Sequence, residues 1–253
     1  MSPRELRRHP DAAALAAAVA RRLVASVVLA QAQRGVAHVV LTGGGIGTAV
    51  LVALAANPDT AQIDWQRIHL WWGDERYVPE GDPERNETGA RAALIDHIPI
   101  PPGRVHAMAG PDRAASVEES AASYADLLNE VGEGSVPEFD VLLLGIGPDA
   151  HVASLFPEHP AWRETGEVVA VHDSPKPPPL RVSMSLPTLN RARQSWVLAS
   201  GASKQDAVLW SFDEQATATA VPASGISGSQ QTLFLVDEAA AAELPPNVGQ
   251  SDA

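Results

Sequence analysis

The chain reads as an α/β protein built on a doubly wound, mostly parallel sheet with helices on both faces. Short apolar runs recur along the 253 residues and alternate with longer helical stretches, the rhythm of strand-helix units rather than of hairpins. Within each run the apolar side chains are consecutive rather than alternating, as strands covered on both faces require. Hydrophobic residues make up 45% of the chain, enough for one large core, so a single domain over residues 1–253 is expected.

The first predicted element is a helix. Leu15, Val19, Leu23 and Val27 recur at i, i+4 spacing through an alanine-rich segment that stops at Gly35, which turns one apolar stripe toward a core. Arg4, Arg7, Arg8, Arg21 and Arg22 outnumber Glu5 and Asp11 here, so a targeting peptide is the rival reading; the amphipathic continuation favours a core-packed helix. Strands are predicted over residues 36–41, 67–72, 139–145, 194–200 and 232–236, with helices over 46–56, 87–97, 114–130 and 203–214. Arg181 opens a further strand, Arg-Val-Ser-Met-Ser-Leu. Prolines gather in 99–102 and 175–179, which read as surface loops because strands resume shortly on either side. There is no internal repeat, and low complexity is confined to about the last ten residues.

Composition excludes several classes. The formal charge is −13, and a phosphate backbone needs a basic face, so no nucleic acid is expected as a partner. Cysteine is absent, which removes disulfides, thiolate metal sites and a cysteine nucleophile. No apolar run approaches the ~20 residues of a bilayer span, so no membrane partner is expected. None of the eight histidines forms an H-x-x-x-H ligand pair, and no metal is expected.

In sheets of this kind ligands bind outside the carboxyl ends of the strands, so the residues that follow each strand carry the functional reading. Thr42, Gly43, Gly44 and Gly45 follow the first strand and run into a helix; their backbone N–H groups suit a phosphate, or the glycines serve only a tight turn. After the second strand, Asp74 and Arg76 are the stronger site candidates and Asn86 a weaker companion, although a solvated charged turn would look the same. The third strand leads into Gly145-Ile146-Gly147-Pro148-Asp149-Ala150-His151. This matches the G-x-G-x-x-A dinucleotide pattern formally, but Pro148 and Asp149 occupy the turn that a pyrophosphate would need, so no dinucleotide is expected. Asp149, two residues before His151, suits a carboxylate-oriented general base, or else caps the following helix beside a bystander histidine. Lys204, one of only two lysines with Lys176, sits at a strand-to-helix junction where a point charge suits a phosphate, or is an ordinary surface cation. No G-x-S-x-G elbow is present, which favours direct attack by water over an acyl-enzyme.

Read in order, TGGG at 42–45, WGDERYVP at 72–79 with RN at 85–86, LGIGPDAHVASLFP at 144–157, PPLRVSMSLP at 178–187 and GASKQDAV at 201–208 resemble the 6-phosphogluconolactonases of the glucosamine-6-phosphate isomerase/deaminase superfamily. The resemblance covers nearly the whole chain. It implies a modified Rossmann-like fold and hydrolysis of 6-phosphoglucono-δ-lactone to 6-phosphogluconate in the oxidative pentose phosphate pathway. It further implies no cofactor, a cytoplasmic location and a monomer or homodimer. By the same resemblance His151 is the general base with Asp149 beside it. Thr42, the three glycines, Arg181 and Lys204 surround the sugar phosphate, and Asp74, Arg76 and Asn86 line the site. One departure is Ala150, where the family usually has glycine. The deaminase branch usually reads His-Ile-Ala-Phe-Asn-Glu-Pro, its glutamate assisting ring opening. Phe156 stands at that position here and cannot relay a proton, so lactone hydrolysis is expected rather than deamination. A catalytically silent sugar-phosphate-binding regulatory domain is the alternative of another class; it would have no need of His151.

Overall fold

The computed structural model describes residues 3–245 and Val248, so most of the low-complexity tail lies outside the described residues. In chain order the elements are β1 (Arg4–His9), α1 (Ala12–Arg34), β2 (Ala37–Leu41), α2 (Gly44–Ala56), β3 (Ile68–Trp72), β4 (Asp74–Arg76), α3 (Asn86–Ala93), α4 (Val117–Val131), β5 (Phe139–Gly145), β6 (Val168–Val171), β7 (Arg181–Met184), α5 (Leu186–Leu189), β8 (Ala192–Ala199), α6 (Gln205–Ser211) and β9 (Gln231–Asp237). Six strands form a wholly parallel sheet in the order β1-β9-β8-β5-β2-β3. The other three, ordered β4-β7-β6, make a small antiparallel sheet.

Each central strand splits its apolar run between two cores. Val39 and Leu41 of β2, with Val141 and Leu143 of β5, pack under α1, α2 and α3. Val40, Leu142 and Leu144 point the other way, into a core with Val117, Tyr124 and Leu128 of α4, Val208 of α6, and Val168 and Val182 of the small sheet. Consecutive rather than alternating hydrophobicity is the signature of such strands. The second face is therefore covered by helices together with an antiparallel sheet, which qualifies the expected helices on both faces. The strand predicted from Arg181 belongs to that small sheet.

Helix α1 is closed at both ends by its own sequence. The Asp11 side chain accepts from Ala14 N–H at 2.8 Å, and Gly35, at φ 81°, donates to the Gln31 carbonyl, a left-handed stop that glycine adopts without penalty. At 23 residues this helix is long and apolar enough to cross a membrane by length and composition, which corrects the statement that no run approaches span length. In the fold, Leu15, Val19, Leu23, Val24 and Val27 are buried against the sheet.

Three strands were not predicted from sequence. The edge strand β1 reads Arg-Glu-Leu-Arg-Arg-His with only Leu6 buried, so it carries almost no apolar signal. Its register beside β9 is supported by Arg4, which donates to the Ser211 and Ser224 carbonyls. β4 is three charged residues and β6 only four residues, Val-Val-Ala-Val; both depend on pairing with β7. Helix bounds also change: 46–56 begins two residues earlier, at Gly44, 114–130 becomes Val117–Val131, 87–97 divides into α3 and a 3₁₀ turn at Ile95–His97, and 203–214 shortens to α6 behind a 3₁₀ turn at Ala202–Lys204. No helix begins after β5; residues 147–156 form turns.

From β2 the chain goes outward to β3 on one side, then crosses back to β5, β8 and β9 on the other. The strand order reverses between β2 and β5, and the crevice at their carboxyl ends is where such sheets bind ligands.

Candidate active site

At that crevice the chain builds a cavity of about 300 Å³, walled by Thr42, Gly43, Gly44, Asp74, Arg76, Asn86, His151, Arg181 and Lys204. Every residue singled out from sequence is there except two. Gly45 sits inside the first turn of α2 and does not line the cavity. Asp149 stands behind the wall, bonded to His151. Thr42 joins the two glycine loops, its hydroxyl accepting from Gly145 N–H at 3.1 Å.

The Asp149–His151 pair is made by a turn rather than by a helix cap. Gly147 N–H donates to the His151 carbonyl at 2.9 Å and Ala150 N–H to the Gly147 carbonyl at 3.0 Å. A side chain at Gly147 would collide with the His151 imidazole and the Asp149 carboxylate, so only glycine permits this fold of the turn. Ala150 is fully buried and takes φ 62°, the left-handed region where the family's usual glycine costs nothing and an alanine costs ~1–2 kcal/mol. His151 Nδ1 lies 2.6 Å from Asp149 Oδ1. An ionised carboxylate only accepts, so Nδ1 carries the proton and Nε2 remains as the basic nitrogen. Burial pushes the Asp149 carboxyl up, but the His151 hydrogen bond and the charges of His151 and Lys176 outweigh it and hold the group well below the usual carboxylate range. Phe156 packs on the imidazole with ring centres 4.6 Å apart.

The opposite wall is a polar lattice. Asp74 is buried; its Oδ2 accepts from Ser154 Oγ at 2.6 Å, and its carbonyl accepts from Asn86 Nδ2 at 2.9 Å. Gly43 packs so closely on the Asn86 amide that no Cβ fits between them. Glu75, a site residue that sequence reasoning passed over, holds this wall together. Its Oε1 accepts from Arg76 N–H and Asn86 N–H at 2.8 and 2.7 Å, and its Oε2 from Glu87 N–H at 2.9 Å. Two of those donors are the first N–H groups of α3, which that helix cannot satisfy itself. Burial pushes the Glu75 carboxyl up to about 7, against the pull of Arg85 and the three backbone donors.

Four cations ring the cavity: Arg76, Arg181, Lys204 and the unforeseen Lys176. The chain's only two lysines thus meet at one site in a protein of charge −13, and this scarcity was the one signal for Lys176 in the sequence. Burial pulls Lys204 below the ordinary lysine value, helped by the charge of Lys176 and opposed by Asp149. Arg181 is buried, and much of its donor set is already committed: Nε donates to the Pro178 carbonyl at 2.9 Å, and Nη2 to the Lys176 and Pro177 carbonyls at 3.0 and 2.9 Å. A pocket with this charge suits a small anion-bearing ligand, and a free imidazole nitrogen beside it suits proton transfer.

Comparison with known proteins agrees with this geometry. The family model described as glucosamine-6-phosphate isomerases/6-phosphogluconolactonase matches residues 10–235. The chain is 52% identical over 207 residues to a 6-phosphogluconolactonase of Streptomyces coelicolor, covering 79% of each chain. It is 48% identical over 241 residues to that of Mycobacterium tuberculosis, covering 93% of this chain and 96% of the other. A solved 6-phosphogluconolactonase from Trypanosoma brucei superposes with TM-score 0.82 at 29% identity over 96% of this chain and 99% of the other. A monomeric glucosamine-6-phosphate deaminase shares the fold, with TM-score 0.77 at 22% identity over 94% of this chain and 99% of the other. With its cationic cavity at the sheet's crevice and that match spanning residues 10–235, the chain belongs to the glucosamine-6-phosphate isomerase/6-phosphogluconolactonase family.

Proposed function

We propose that the chain is a 6-phosphogluconolactonase, hydrolysing 6-phospho-D-glucono-1,5-lactone to 6-phospho-D-gluconate in the oxidative branch of the pentose phosphate pathway, by water that His151 activates. The relatives of that name at 48–52% identity support the reaction, and one local observation supports it over deamination. Where the deaminase motif has its glutamate, this chain packs the buried phenyl ring of Phe156 on the His151 imidazole, so the site has one proton-transfer group at this position rather than two.

A lactone is an activated ester. Its hydrolysis needs a proton taken from water, charge stabilised on the carbonyl oxygen, and a proton given to the departing ring oxygen. His151 Nε2 takes the first proton and returns it to the leaving oxygen. The Asp149 carboxylate keeps the imidazole in the right tautomer and stabilises its protonated form. Arg76 and Lys204, neither of which forms an ion pair among the described residues, take the 6-phosphate with the Gly43 and Gly44 backbone and the Nη1 of Arg181, which is not committed to the 176–178 carbonyls. Fixing that end of the substrate orients the carbonyl for attack.

The direct test is hydrolysis of freshly generated 6-phosphogluconolactone, corrected for spontaneous opening, alongside release of ammonia from glucosamine 6-phosphate. Lactonase turnover without ammonia is the expected result. Tight 6-phosphogluconate binding with no turnover would establish the silent phosphosugar-binding domain instead.

A further inference from the structure

We propose that Lys176 is a positioning residue of this centre: its ammonium, delivered by a loop that Arg181 anchors, holds Asp149 beside His151 and sets the pH range in which His151 serves as a base. This rests on the lactonase reading above. Lys176 Nζ lies 3.3 Å from Asp149 Oδ1 and 3.2 Å from His151 Nδ1. Because the proton on Nδ1 already points at Asp149, the ammonium donates to the carboxylate and meets the imidazole only through its charge.

The loop that carries Lys176 is held firmly. Ser174 Oγ donates to the Lys176 carbonyl at 2.8 Å and accepts from Lys176 N–H at 3.3 Å, and Ser174 N–H donates to the Pro179 carbonyl at 3.0 Å. The buried Arg181 guanidinium then ties the carbonyls of Lys176, Pro177 and Pro178 to β7. A cation meant only for phosphate would be left unpaired in the free protein, as Lys204 and Arg76 are among the described residues. Lys176 instead forms an ion pair with Asp149.

The charged groups facing His151 are Asp149 from its own turn, Lys176 from the 174–179 loop, Lys204 from the turn before α6, Asp74 and Arg76 from β4, and Arg181 from β7. Of these, only Asp149 and Lys176 touch the imidazole. The carboxylate favours the imidazolium and the ammonium opposes it. Removing Lys176 takes away the opposing charge and leaves the pull of Asp149 on the imidazole unopposed.

The test compares the parent with Lys176→Met, Lys176→Arg and Lys204→Ala. In Lys176→Met the acid limb of the kcat profile is expected to move up by about one pH unit or more, because a charge 3.2 Å away is worth about that much even in bulk water. Lys176→Arg should restore it. Lys204→Ala should raise KM and leave the limb in place. The same upward shift should appear in the NMR titration of the His151 ring in the free protein, identified by its absence in His151→Ala. That measurement needs no turnover, so it separates this proposal from the lactonase reading: a parent without lactonase activity defeats the reading, while the ring titration still decides the role of Lys176. An unmoved limb and ring titration in a folded Lys176→Met would overturn the proposal, and a raised KM alone would make Lys176 a phosphate ligand.

Discussion

Arg76 and Arg181 stand directly opposite one another across the β4–β7 ladder, and both line the same cavity. Like charges paired in this way destabilise a sheet, and the buried Nε of Arg76 has no hydrogen-bond partner among the described residues. Asp74, Glu75 and Glu84 already offset part of the paired charge, and a bound anion would supply the missing acceptor and further counter-charge. Arg76→Ala should therefore weaken 6-phosphogluconate binding by tenfold or more, on the order of 1.5–3 kcal/mol for a charge-assisted bond, with no loss of thermal stability in the free protein. Calorimetric titration and ligand-free melting read the two quantities. A variant that binds as the parent does and melts lower would make Arg76 a structural residue.

His151→Ala should lower kcat by at least about 10²-fold while leaving 6-phosphogluconate affinity nearly unchanged, because a general base acts in the transition state. Near-parental turnover after correction for background opening would remove His151 from the mechanism.

Arg181 and Lys204 should separate. Lys204→Ala is expected to weaken binding of 6-phosphogluconate far more than of unphosphorylated gluconate. Arg181→Ala releases the carbonyls of Lys176, Pro177 and Pro178 as well as losing a phosphate donor, so it should reduce affinity for both ligands and kcat together. Identical selectivity in the two variants would mean that the loop anchoring has no part in the site.

Ala150 offers a test of backbone strain. At φ 62° and fully buried, it should accept glycine with stability unchanged within about 1 kcal/mol, since the relieved left-handed strain offsets the extra chain entropy of glycine. Ala150→Val, β-branched in a region such residues avoid, should melt several degrees lower and lose activity by disturbing His151. Thermal melts of the two variants decide it; a valine variant as stable as the parent contradicts the described turn.

Stability should fall as the solution is acidified from neutral. His38, His69 and His106 stack in a row beside Trp71, with His69 Nδ1 2.7 Å from His106 Nε2 and Arg104 donating to His69 Nε2. Burial, aided by the neighbouring imidazole and Arg104 charges, pushes His69 down to about 3 and His106 down to about 4, and burial also lowers His38. Between the ordinary histidine value near 6.5 and about pH 4 the unfolded chain therefore binds protons that the folded chain refuses, so acid favours unfolding. Glu75, raised to about 7, acts in the opposite sense between about 4.5 and 7, but it is one group against three. Melting temperature should drop from pH 7 to pH 5, with a shallower drop in His106→Gln. A flat profile in the parent would show that these imidazoles are not held neutral.

What the sequence determined by itself was the order and kind of the central elements and the chemical identity of the site. Consecutive apolar residues such as Phe139–Gly145 must lie between two covered faces, and glycine, aspartate, arginine and histidine at the strand ends fall at one edge of any parallel sheet. Gly147, Ala150 and His151 are neighbours in the chain, so their turn was legible as a motif even though it was read as a helix start. Tertiary structure decided the rest, because it depends on groups far apart in sequence. β1, β4 and β6 are too short or too polar to declare themselves and exist through the partners they pair with. Glu75 reads as one more charge in a polar turn until it is seen to cap α3 eleven residues away. Arg181 reads as a phosphate ligand and nothing more until its Nε and Nη2 are found bonded to a loop that brings Lys176 to Asp149. Propensity and periodicity describe what a segment does alone, whereas burial decides which polar atoms must find one another.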